Sequence, residues 1–119
     1  MISVVLDEDL DVRLRLHFGP DVRAETVACR GWRHLTNGAL LRALADAGDV
    51  DVFVTADANL RHQQRVAELP YGVLVLRSRR AVLARLLELM PEALRVLPTV
   101  RPGTVTEVQP PPAEGGGPG

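Results

Sequence analysis

Ile2 to Leu6 is a near-continuous apolar run, which predicts a strand covered on both faces. From Asp9 to Phe18 the spacing changes, with Leu10, Leu14 and Phe18 recurring every four residues and Arg13, Arg15 and His17 between them, as on an amphipathic helix. "FGPD" breaks that pattern. Val22 to Ala28 alternates, with Val22, Ala24, Thr26 and Ala28 on one side and Arg23 and Glu25 on the other, and predicts a strand near a sheet edge. After the loop "CRGWRHLTNG", Ala39 to Ala47 predicts a helix with Leu40, Leu41 and Leu44 inward and Gly48 as its stop.

Val50 to Thr55 predicts the third strand, Asn59 to Leu69 a helix ended by Pro70, and Gly72 to Leu76 a fourth strand that is apolar throughout. A helical pattern follows from Arg80, with Val82, Leu83, Leu86, Leu87 and Met90 inward and Pro91 opening a short continuation through Leu97. "GTVTEVQ" predicts a short last strand. The alternation of strands and helices predicts a three-layer α/β fold, an open and mostly parallel sheet of four to five strands with helices on both faces. Residues 1–109 form the expected domain, and the Pro/Gly-rich stretch 110–119 is expected to be disordered.

In such sheets ligands bind outside the carboxyl ends of the strands, where strand order reverses. The residues expected at those ends are Asp7, Glu8 and Asp9 after the first strand, Asp57 and Asn59 after the third, and Arg77 and Ser78 after the fourth. If the first and third strands are neighbours, their backbones lie ~4.8 Å apart and their terminal carboxylates share one crevice. Carboxylates that close repel one another unless a cation intervenes, and an all-oxygen set suits Mg²⁺ or Mn²⁺. The competing reading of an Asp at a strand-to-helix junction is a helix cap, and for Asp9 the two readings stay open. Glu8 is expected to point into solvent.

Composition narrows the chemistry. With 119 residues the chain has material for one core, and 46% hydrophobic with 24% charged residues reads as a soluble globule. No apolar run approaches the roughly 18 residues of a membrane span and no signal peptide opens the chain, so the expectation is a cytoplasmic protein with no membrane association. Cys29 is the single cysteine, read as a small semi-buried residue. All 14 basic residues are Arg. The absence of Lys excludes a phosphate-loop lysine, a Schiff base and a lysine beside a phospho-aspartate. Neither of the serines, Ser3 and Ser78, lies in a G-x-S-x-G elbow.

"VVLDEDL" followed by "VFVTADANL" resembles the pattern of the PIN-like nucleases, in particular their short toxin-like branch, where one strand ends in D-E-N or D-E-D and a later one in V-T-x-D-x-D or V-T-x-D-x-N. The stretch "GWRHLTNGALLRALADAGDVDVFVTADANLRHQQ" is similar to one subgroup along its whole length, and "PGTVTEV" also fits. The resemblance covers Met1 to Val108. It implies a metal-dependent endoribonuclease, the toxin of a toxin–antitoxin pair, with Mg²⁺ or Mn²⁺ as cofactor, RNA as substrate and an antitoxin protein as partner. A homodimer is left open. By position Asp7 and Asp57 would be the catalytic, metal-holding aspartates, and Asp9, Asn37 and Asn59 would complete the metal shell. Thr55 matches the threonine that precedes the second aspartate. At Asn37 the broader family has Asp or Glu, and Asn59 replaces the second acid of V-T-x-D-x-D, so each removes a negative charge.

Arg61, His62 and Gln64 follow Asp57 closely enough to meet a bound nucleic acid, with a solvated helix face as the alternative. Arg77 and Arg79 lie on the rim of the same crevice, where phosphate contacts need only positive groups along the backbone path. His17 and His34 read as surface residues, and Trp32 either packs under its loop or stacks on a base. Two other functions compete. A receiver-type signalling domain has acids after its first strand and an acceptor Asp after its third, but the missing Lys speaks against it. A catalytically weakened PIN-like binding protein is kept open by Asn37 and Asn59.

Overall fold

The computed structural model describes residues 1–62, 65–78 and 82–110, without the side chains of Asn37, Arg61 and His62. Five strands, β1 (Ile2–Leu6), β2 (Val22–Thr26), β3 (Val52–Thr55), β4 (Gly72–Leu76) and β5 (Val105–Val108), form one sheet in the order β2-β1-β3-β4-β5. Every pairing is parallel. The main helices are α1 (Asn37–Ala47) and α2 (Leu83–Val96), joined by short 3-10 turns at Val12–His17, Ala58–His62, Val66–Glu68 and Leu97–Thr99.

The period-two geometry of a strand sorts the apolar residues into two cores. Val4, Leu6, Val52, Val54, Leu74 and Leu76 face one way and pack with Leu86, Leu89, Met90 and Ala93 of α2 and with Leu14 and Phe18. Val5, Phe53, Val73 and Val75 face the other way and pack with Leu40, Leu41 and Leu44 of α1, with Leu60 and with Tyr71. Helices thus cover both faces, which is why β1, β3 and β4 read as apolar runs. The alternating β2 is an edge strand. No helix among the described residues is long and apolar enough to cross a membrane.

Five expectations need correction. The Asp9 to Phe18 pattern folds as a 3-10 turn at Val12–His17, capped by Asp11, whose side chain accepts from the Arg13 N–H at 2.9 Å. That releases Asp9 from the capping role. The expected helix from Asn59 to Leu69 is instead two 3-10 turns, because Arg65 sits in the left-handed region at φ 72° and cannot continue a helix. Pro91 lies inside α2 rather than opening a new segment, and Val82 is an exposed N-cap while Leu89 takes a core position. Cys29 is exposed rather than semi-buried, and bonding to Thr26 draws its thiol down.

Gly48 and Gly72 show two different demands for glycine. Gly48 ends α1 at φ 74°, as its place in the sequence predicts. Gly72 opens β4 against the segment leading to β5, where a Cβ would collide with Val100 and lie 2.6 Å from the Arg101 carbonyl oxygen. The tail at residues 111–119 lies outside the described residues.

Candidate metal and acid site

The strand order places the reversal between β1 and β3: the chain leaves β1 for β2 on one side, then crosses back to β3, β4 and β5 on the other. β1 and β3 are paired in register, Leu6 with Val54, so the residues after them emerge side by side at the carboxyl end of the sheet. The Asp7 N–H donates to the Val54 carbonyl at 2.8 Å, extending that pairing by one residue. The Leu10 N–H donates to the Asp7 carbonyl at 3.1 Å, which folds "DEDL" into a turn.

Thr55 organises the carboxylates. It is wholly buried, and its hydroxyl oxygen lies 2.8 Å from Asp7 Oδ2 and 3.2 Å from Asp9 Oδ2 while accepting from the Asp57 N–H at 3.1 Å. Asp9 also receives the Ala56 N–H, at 3.2 Å to Oδ2. Asp7 Oδ1 accepts from the Glu8 N–H at 2.8 Å, and Asp57 Oδ1 from the Asn59 N–H at 2.9 Å. Asp7, Asp9 and Asp57 are therefore drawn to one hydroxyl and the backbone around it. Among the described residues, none of the three has a basic partner. An ion pair in the same turn, Glu8 with Arg33 at 3.9 Å, involves the acid that faces solvent.

The uncompensated charge appears in the acidities. Burial raises Asp7, against the opposing pull of the Thr55 hydrogen bond, with the charges of Glu8 and Asp57 adding to the rise. Burial of its carboxylate, and next the charge of Asp7, push Asp9 up to about 6. The Thr55 hydroxyl, at both carboxylates, and the Ala56 N–H, at Asp9, pull the other way without cancelling the rise.

A carboxyl raised in the folded state holds a proton that the unfolded chain releases, so stability falls as pH rises from about 4 to about 6. At an exposed residue screened by solvent this is ~1 kcal/mol. Denaturant unfolding of metal-free protein at pH 4.5 and 7 (roughly the two ends of that window) should show the drop in the native chain and a smaller one in Asp9→Asn. Equal drops would place the titration elsewhere.

Comparison with family models, with curated proteins and with solved structures finds no match. The site therefore rests on its own geometry.

Among the described residues, no three His, Cys, Asp or Glu side chains form a ready cage for a metal ion. Mg²⁺ does not require one, since it keeps several waters and uses one or two carboxylates together with substrate phosphates. Hard oxygens and mutual repulsion fit such an ion.

The remaining expected site residues divide. Asn59 supplies its backbone N–H to Asp57, while its exposed side chain bonds none of the carboxylates. Asn37 opens α1, which runs back from the carboxyl end of the sheet toward the start of β3; its side chain is outside the described residues. Arg61 and His62 lie in the 3-10 turn after β3 with undescribed side chains, and Gln64 and Arg79 lie outside the described residues. Arg77 follows β4, its N–H donating to the Val108 carbonyl at 2.7 Å and its guanidinium to Glu107 at 3.1 Å. Trp32 packs on the α1-side core with Arg30 over its ring at 5.5 Å. His17 and His34 are exposed. Sequence reasoning matched Thr55 to a motif but missed its role as the shared hydroxyl; a Thr ending an apolar strand beside two acidic loops was the available signal.

Proposed function

We propose that the chain is a metal-dependent endoribonuclease of PIN-like type, with Asp7 and Asp57 as the residues that hold Mg²⁺ or Mn²⁺. One observation carries the reading: three aspartates with no basic partner among the described residues gather at the strand-order reversal, where a parallel sheet presents its ligand crevice. A bound ion would supply a water of lowered pKa and offset charge developing on phosphate. Thr55 holds the Asp7 carboxylate in place, and the Asn59 N–H does the same for Asp57. Asp9, whose carboxylate receives the Ala56 N–H, would complete or orient the shell of the ion.

The toxin role, with an antitoxin protein as partner, rests on the motif resemblance, as does the cytoplasmic setting. The test is incubation of the purified protein with a panel of RNAs in Mg²⁺, Mn²⁺ or chelator. Cleavage that requires the metal supports the proposal. Absence of cleavage across the panel in both metals favours the catalytically weakened binding protein, for which Asn59 in place of an acid already argues.

A further inference from the structure

A second feature lies at the same end of the sheet, over β4 and β5 rather than β1 and β3. Arg77, Ser78, Gln109 and Pro110 line a cavity of about 280 Å³. Its polar side chains are a guanidinium, a hydroxyl and a carboxamide, each able to donate hydrogen bonds, and Pro110 adds an apolar wall.

The only described acid paired with Arg77 is Glu107, and exposure shows which charge the solvent meets. The Glu107 side chain is 13% exposed and that of Arg77 is 42% exposed. The carboxylate thus lies behind the guanidinium and fixes it through Nη1 at 3.1 Å, one of five N–H donors. The Arg77 backbone is fixed as well, by its N–H to Val108. A cation held from behind and open in front is pre-organised for an anion, and Arg forks match phosphate oxygens.

Size and place narrow the ligand. The volume falls slightly below the roughly 300 Å³ at which small-molecule pockets begin, enough for a phosphate with part of its sugar but not for a dinucleotide cofactor. β4 and β5 lie one and two strand spacings from β3, so the cavity is ~5–10 Å along the sheet from the end that bears Asp57.

We infer that this cavity binds a backbone phosphate of a single-stranded RNA whose neighbouring phosphodiester lies over Asp7 and Asp57. Arg77 and Gln109 are its contacts, and the strand runs across the carboxyl ends from β3 toward β5. The identity of the ligand as RNA rests on the proposed nuclease function, but binding can be measured without cleavage.

The experiment uses the full chain in chelator, with fluorescence anisotropy of a labelled oligouridine read over a series of salt concentrations. Arg77→Gln alone takes a partner from Glu107, so the double variant Arg77→Gln/Glu107→Gln changes the pair together, and Gln109→Ala changes an exposed residue. The double variant should weaken binding on the order of tenfold and lower the salt slope by about one, with a smaller loss for Gln109→Ala. Inorganic phosphate should compete in the native chain, and uridine monophosphate should bind more weakly than the oligonucleotide. Unchanged affinity and slope in both variants would overturn the assignment. So would tighter binding of the mononucleotide, which would make the cavity a free-nucleotide site. Because no metal is present, a positive result stands even if cleavage is never found, and a negative one leaves the carboxylate site untouched.

Discussion

Asp57→Asn is expected to lower metal-dependent RNA cleavage on the order of 10³-fold while leaving the fold intact. The substitution keeps the oxygen that accepts the Asn59 N–H, so the loop after β3 retains its turn. It removes one unit of negative charge from a crevice in which Asp57 already raises both Asp7 and Asp9. Metal-free variant should therefore melt at or above the native temperature, since relief of repulsion favours the folded chain. Paired cleavage assays and thermal melts check both halves. Full activity in a well-folded Asp57→Asn protein would remove Asp57 from the chemistry.

The second large effect belongs to Thr55→Val. Thr55 is wholly buried, and the change removes the donor to Asp7, the contact with Asp9 and the acceptor for the Asp57 N–H. Loss of buried hydrogen bonds to charged groups predicts a stability cost of about 2–3 kcal/mol. The Thr55 bond also lowers the pKa of both Asp7 and Asp9, so without it both rise further. Metal affinity should fall roughly 10- to 100-fold, as when a group orienting a metal ligand is lost. Thr55→Ser, which keeps the hydroxyl, should recover most of the affinity. If Val and Ser variants bind metal alike, the hydroxyl does not position the carboxylates.

The strands were legible because burial on both faces leaves a mark that local sequence carries. "VVL", "VFV" and "GVLVL" are apolar without alternation, and all three became interior strands of the sheet. One adjacency was tied to the acids. Asp7 and Asp57 made sense together only if β1 and β3 were neighbours, as they are. The helix expected at Asn59 to Leu69 was not legible, because its spacing of Leu60, Val66 and Leu69 suits packed turns as well as a helix. What decides against the helix is the left-handed backbone at Arg65, a conformation that no Arg advertises. Asp9 was ambiguous for a different reason. A cap and a site acid share the same residue type, and the choice turned on whether Asp11 could cap the turn instead, which it does. Thr55 was visible as a motif letter, but a hydroxyl shared by three loop groups depends on register between strands 48 residues apart in sequence. Arg77 and Glu107 show the same limit, since their pairing across 30 residues exists only because β4 and β5 are adjacent.

The central claim is that Asp7, Asp9 and Asp57 accumulate negative charge to hold a divalent cation. Calorimetric titration of Mn²⁺ into the native chain and into an Asp7→Asn/Asp57→Asn variant, at a pH above the Asp9 value of about 6, addresses it most directly. The account predicts saturable binding of one ion by the native chain and no measurable binding by the variant. A flat titration of the native chain, or the same binding isotherm for both proteins, would contradict it.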